Sequence, residues 1–186
     1  MIIERVVLGL DISTSITGYA VVDIDTNELM CYGHIDLRKI KCVFDKVEKV
    51  KQELANIKTD FNITNIYIEQ PFTFFNSGGS SAQTMATLQK FNGIISWICY
   101  SLWNFKPNYI GASQARKTCN ISVPRGQKAK QVVLDYILNT EKKFSIQKTR
   151  NGNPKPESYD RADAIVIAKA GAIKEIENEK NLKRME

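Results

Sequence analysis

A chain of 186 residues with 43% hydrophobic and 25% charged residues has room for one domain with a sizeable core. No apolar stretch reaches the ~18 residues needed to span a bilayer, and the N-terminus lacks a basic region followed by a cleavage site, so neither a membrane partner nor an export signal is expected. The net charge of +6 favours an acidic partner, while one histidine, His34, and four scattered cysteines (Cys31, Cys42, Cys99, Cys119) argue against zinc and histidine chemistry and for reduced thiols in an intracellular protein.

Residues 5–12 are a nearly continuous apolar run and predict a buried strand. Residues 17–24 and 28–36 predict two more, joined by short polar turns, which suggests an antiparallel meander. Over 43–58, apolar Val43, Phe44, Val47, Val50, Leu54 and Ile57 recur at helical spacing. Residues 63–69 return to strand character, and Pro71 and a Gly/Ser-rich loop follow. A long apolar helix is expected over 82–104 and a short strand over 108–112. A helix over 127–139 carries Val132, Val133, Tyr136 and Ile137. Residues 141–157 are basic and rich in Asn, Gly and Pro, and predict an exposed loop. Ser158 is placed to cap a last helix over 159–177. The expected fold class is α/β: a mixed five-stranded sheet, three strands antiparallel, flanked by helices. One domain over 1–178 and a charged, frayed tail over 179–186 are expected.

Asp11 ends the first strand and Glu69 ends the fourth, each delivered by a hydrophobic run. Asp160 and Asp163 lie three apart at the start of the last helix, which puts both on one face. Taken singly, each has an ordinary explanation: a turn former, a surface acid, or an acid favoured by the helix dipole. Their joint placement is what points to a site. Four converging carboxylates repel one another, and a divalent cation removes the conflict; all-oxygen ligands suit Mg²⁺ or Mn²⁺. Two such ions can clamp the attacking and leaving oxygens of a phosphodiester. From Lys106 to Arg161 there are twelve Lys or Arg against four Asp or Glu, either a solvated basic face or a phosphate-binding surface.

The stretch from Leu8 to Val21, with Asp11 followed by Thr17-Gly18-Tyr19, resembles the first catalytic strand and hairpin of the RuvC-type Holliday junction resolvases. Ile68-Glu69-Gln70 resembles their second catalytic strand, and Asp160-Arg161-Ala162-Asp163-Ala164 their final helix. Order and spacing agree over about 160 residues of the chain. The resemblance implies an RNase H-like fold and a crossover junction endodeoxyribonuclease with Asp11, Glu69, Asp160 and Asp163 as metal ligands. It also implies two Mg²⁺ per site, with Mn²⁺ as a substitute, and a homodimer acting on branched DNA, above all four-way junctions. Lys117 and Lys128 resemble the family's basic residues near the scissile phosphate, and Phe72 its base-stacking aromatic; core or loop anchoring would equally explain Phe72. Arg116, Arg125 and Lys130 are further candidates for phosphate contact. Trp97, Tyr100 and Trp103 widen the apolar surface of the long helix, as dimerisation or simple core packing would require. Ile12-Ser13 departs from the family's Pro-Gly, which leaves room for a viral, phage or organellar relative.

Three other readings start from the same residues, one of them a catalytically inactive DNA-binding protein of the same fold, against which the four intact acids argue. A related nuclease acting on flaps or forks would use the same acids. An actin-like kinase or ATPase begins much like Leu8 to Ser15, but its phosphate loop wants Gly at Ser13 and it has no place for the Asp160–Asp163 helix.

Overall fold

The computed structural model describes residues 5–71 and 82–184. Its sheet has the order β3-β2-β1-β4-β5. β1 (Val6–Asp11), β2 (Ile16–Asp23) and β3 (Leu29–Asp36) form the antiparallel meander, while β4 (Ile63–Glu69) and β5 (Asn108–Ile110) run parallel to β1. The crossover between β1 and β4 carries α1 (Val43–Asp60), and α2 (Ala82–Trp103) lies between β4 and β5. The α3 (Ala112–Thr118), α4 (Ala129–Thr140) and α5 (Glu157–Leu182) helices follow. Among the described residues no helix is long and apolar enough to cross a membrane.

The period-2 alternation of strands divides two cores cleanly. Val6, Leu8 and Leu10 of β1, with Ile66 and Ile68 of β4, pack beneath α1 and α2 on Val50, Leu54, Phe91 and Ile95. Val7, Ala20, Val22 and Tyr67 face the other way, against Leu134 of α4 and Ala164, Ile167 and Ala168 of α5. On α1 the buried stripe is Val47, Val50, Leu54 and Ile57. The first-turn residues Val43 and Phe44, expected on that stripe, are exposed instead, Phe44 at 73%.

Helix α5 lies unusually close to the sheet because glycines face it. A Cβ on Gly9 would stand 2.5 Å from the Ala168 nitrogen, and one on Gly18 2.1 Å from the Asp160 carbonyl oxygen. A side chain at either position would hold the helix away from the strands.

Several boundaries differ from those expected. α3 was not anticipated; its seven residues are too few to show a period. α5 begins at Glu157, with Pro156 as N-cap and no side-chain cap hydrogen bond. Ser158 is therefore not a cap: it is fully buried inside the first turn, where its hydroxyl accepts from Arg161 Nη2 at 3.3 Å. At the other end α5 continues to Leu182, so residues 179–182 of the expected tail are helical.

Candidate active site

Strand register brings the first two acids together. Leu10 of β1 pairs with Ile68 of β4, so Asp11 and Glu69 occupy the next positions at the carboxyl ends of adjacent parallel strands. Asp11 has the same facing as Val7 and Gly9, and Glu69 the same as Tyr67, so both point toward α5. There Asp163 joins them in one cavity of about 470 Å³, whose wall includes Gln70, Ser113, Arg116 and Lys130. Asp160 borders it through Lys130, whose ammonium lies 3.2 Å from Asp160 Oδ1 and 3.5 Å from Asp163 Oδ2.

Local hydrogen bonds hold this frame. Where the resolvase pattern has Pro-Gly, the Ser13 hydroxyl accepts from the Ser15 and Ile16 amides at 3.1 and 3.4 Å. The buried Thr17 hydroxyl donates to the Ser13 carbonyl at 3.1 Å. Such short side-chain bonds close a turn without needing glycine. Behind Glu69, buried Asn92 of α2 donates to its carbonyl at 3.4 Å.

The electrostatics are those of crowded, desolvated anions. Burial, then Glu69 and Asp163, push the Asp11 carboxyl well above its usual range. Burial and Asp163 raise Glu69 to about 7, and burial raises Asp163, with Lys130 opposing. Burial works against the Lys130 ammonium, but Asp11, Asp163 and Asp160 outweigh it and hold Lys130 above its ordinary value. Among the described residues no group of three or more His, Cys, Asp or Glu is arranged to hold a metal ion; Lys130 supplies the positive charge between the helix acids. The donor set nonetheless suits a hard cation, since every candidate ligand is a carboxylate and each of the three lining the cavity is destabilised as an anion.

Of the basic residues named from the sequence, Arg116 and Lys130 line the cavity. Lys117 is exposed on α3 and Lys128 is the exposed N-cap of α4; neither forms its wall. Arg125 is exposed in the α3–α4 turn. Phe72 lies outside the described residues. Trp97 is 65% exposed and its ring lies 5.5 Å from that of Tyr100, whereas Trp103 packs partly against the core. Sequence reasoning missed Arg38, which chelates Asp36 through Nε and Nη2 and comes within 3.7 Å of Glu157 at the start of α5. A lone arginine after a strand carries no pattern that would reveal it.

No protein-family model matches the chain. It is 27% identical over 168 residues to the crossover junction endodeoxyribonuclease RuvC of Finegoldia magna, covering 87% of this chain and 89% of that one. The corresponding protein of Bacteroides fragilis is 29% identical over 93 residues, covering 49% and 47%. Among solved structures, Thermus thermophilus RuvC in complex with a Holliday junction substrate superposes with a TM-score of 0.65 at 16% identity, over 92% of this chain and 95% of that one. The yeast mitochondrial Holliday junction resolvase superposes with a TM-score of 0.57 at 14% identity, over 92% and 81%. The chain is a sequence homologue of the RuvC Holliday junction resolvases and has their RNase H-like fold.

Proposed function

We propose that this chain is a metal-dependent endodeoxyribonuclease that resolves four-way DNA junctions by paired phosphodiester hydrolysis. One observation carries the reading: strand-end acids Asp11 and Glu69 share a cavity with helix acid Asp163, in a homologue of crossover junction endodeoxyribonucleases. Asp11, Glu69, Asp160 and Asp163 are the residues that would hold Mg²⁺ or Mn²⁺, two ions per site. Such ions, when bound, supply an activated water and neutralise charge on the phosphate. Arg116, on the cavity wall, orients the phosphodiester by a charge-assisted contact. Lys130 balances the helix acids and is within reach of a phosphate entering the cavity. Lys117, Arg125 and Lys128 contact phosphates further along the strand, and Phe72 stacks on an unpaired base. The Trp97–Tyr100 patch on α2 is the proposed homodimer surface, which gives two sites for two strands.

Cleavage is expected with Mg²⁺ or Mn²⁺, while Ca²⁺ supports binding and little cutting because it does not hold the tight octahedral geometry of Mg²⁺. Full activity in excess EDTA would rule this out.

Substrate choice follows from the dimer. A four-way junction offers phosphates to both subunits at once, and linked contacts raise apparent affinity ~10²–10⁴-fold over one alone. Linear duplex engages one surface and binds weakly, with strong salt sensitivity. Paired nicks in opposed strands, with ligatable 5′-phosphate ends, are expected from junctions labelled on each strand in turn. Sedimentation of the free protein should give a dimer. A monomer that nicks flaps, forks and linear duplex as readily as junctions would replace the resolvase reading with that of an RNase H-like nuclease without junction preference.

A further inference from the structure

We propose that the hairpin over residues 147–155, with Lys39 and Lys41 of the β3–α1 loop, grips the phosphate backbone of a duplex DNA arm leading away from the carboxylate site; this rests on the nuclease reading above. The sequence predicts only an open loop here. The structure instead folds the segment back on itself. Lys148 bridges Pro154, the Thr149 amide donates to the Asn153 carbonyl at 2.7 Å and the Lys155 amide to Gln147 at 2.9 Å. Gly152 turns the tip at φ 80°, a conformation glycine adopts without cost.

Both ends of the hairpin are fixed. Before it, Phe144 is buried with its ring 5.0 Å from that of Tyr32, and Ile146 packs on the same core. After it, the Ser158 amide donates to the Lys155 carbonyl at 3.0 Å, so the chain enters α5 directly. The hairpin is thus an ordered projection rooted beside Asp160.

The cations at its tip have no ion-pair partner among the described residues. Residues 142–156 contain Lys142, Lys143, Lys148, Arg150 and Lys155 and no Asp or Glu. Lys143 pairs with Glu28 and Lys155 Nζ donates to Gln147 Oε1 at 2.7 Å. Lys148 and Arg150 are exposed and belong to none of the ion pairs among the described residues. Two unpaired cations on an ordered, exposed projection are available to contact phosphates. The β3–α1 loop carries exposed Lys39 and Lys41, and its Arg38 comes within 3.7 Å of Glu157 at the start of α5, two residues after the hairpin. The nearby acid Asp36 is already chelated by Arg38.

The reach fits a duplex arm. Lys155 precedes Asp160 by five residues, about 8 Å at helical rise, and Arg150 lies beyond it in the turn that the Gly152 amide closes on the Thr149 carbonyl. The tip cations therefore adjoin the start of the helix that carries the acids without lining their cavity, which suits a contact to a duplex arm and not to the scissile phosphate.

The test is a charge reversal in the full chain, Lys148→Glu with Arg150→Glu, measured by fluorescence anisotropy in EDTA. The probe is a four-way junction with arms of about 15 base pairs. The reversal is expected to weaken binding about tenfold or more and to flatten the salt slope by about 2, since each lost phosphate contact removes ~0.9. Lys148→Arg with Arg150→Lys should behave as wild type. An unchanged slope in a protein that still binds and cuts junctions with Mg²⁺ overturns the hairpin assignment and leaves the nuclease reading standing. A wild-type protein that binds no junction overturns both.

Discussion

Asp11→Asn is expected to abolish cleavage while leaving junction affinity within about twofold. Asp11 lies at the end of β1, beside Glu69 and facing α5, and on the proposed two-metal reading removing one ligand charge would forfeit several kcal/mol of transition-state stabilisation. That corresponds to a rate loss above ~100-fold. Binding persists because it draws on basic residues spread over α3, α4 and the loops. The same substitution should raise thermal stability at neutral pH in EDTA. Burial, Glu69 and Asp163 all disfavour the Asp11 charge in the folded protein, whereas the unfolded chain ionises it freely, so folding bears a cost at neutral pH that a neutral isostere removes. Functional sites commonly trade stability in this way. Wild-type cleavage rates in this variant would remove Asp11 from the site, and a fall in melting temperature would contradict the electrostatic account.

The strands and the two acids at their ends were legible because a buried strand writes itself as an apolar run, and an acid that ends such a run stands out. The spacing of Asp160 and Asp163 put both on one helix face, and only their joint placement with the strand-end acids and the Asp-x-x-Asp-Ala resemblance marked them as candidates; the structure brings Asp163 to the cavity and Asp160 to its edge. What spacing does not encode is which of several neighbouring cations turns inward. Lys117 and Lys128 were favoured over Arg116 and Lys130, yet the turns of α3 and α4 aim the latter pair at the acids. A shift of one or two residues reverses a helix face, and the helix starts are not fixed by any capping side chain. The 147–155 hairpin was hidden for a different reason. Its backbone bonds join polar residues with no periodic apolar pattern, so its composition resembles that of an open loop.

Gly18→Ala is the second substitution of large expected effect, and it tests how the fold positions the chemistry. The added Cβ would lie 2.1 Å from the Asp160 carbonyl oxygen and 2.6 Å from its carbonyl carbon. These are backbone atoms in the first turn of α5, so no rotamer change relieves the overlap. The helix must rise from the sheet, and such overpacking costs about 1–3 kcal/mol, or roughly 2–12 °C in melting temperature for a domain of this size. Asp160 moves with its own backbone and Asp163 follows one turn later, while Asp11 and Glu69 stay with the strands. A displacement of ~1 Å between the two pairs of acids is enough to lower the cleavage rate about 100-fold. Gly93→Ala is the matched control. It lies in α2, its Cβ would meet nothing within 4 Å, and in a helix alanine is favoured over glycine by about 0.5–1 kcal/mol. That variant should be slightly more stable, and it controls the melting comparison, since Gly93 shares the exposed face of α2 with Trp97 and Tyr100. Melting curves of the two variants and single-turnover cleavage by Gly18→Ala separate a site held by direct helix-to-strand backbone contact from one that tolerates a gap. If Gly18→Ala melts and cuts like wild type, α5 does not rest on β2 as described.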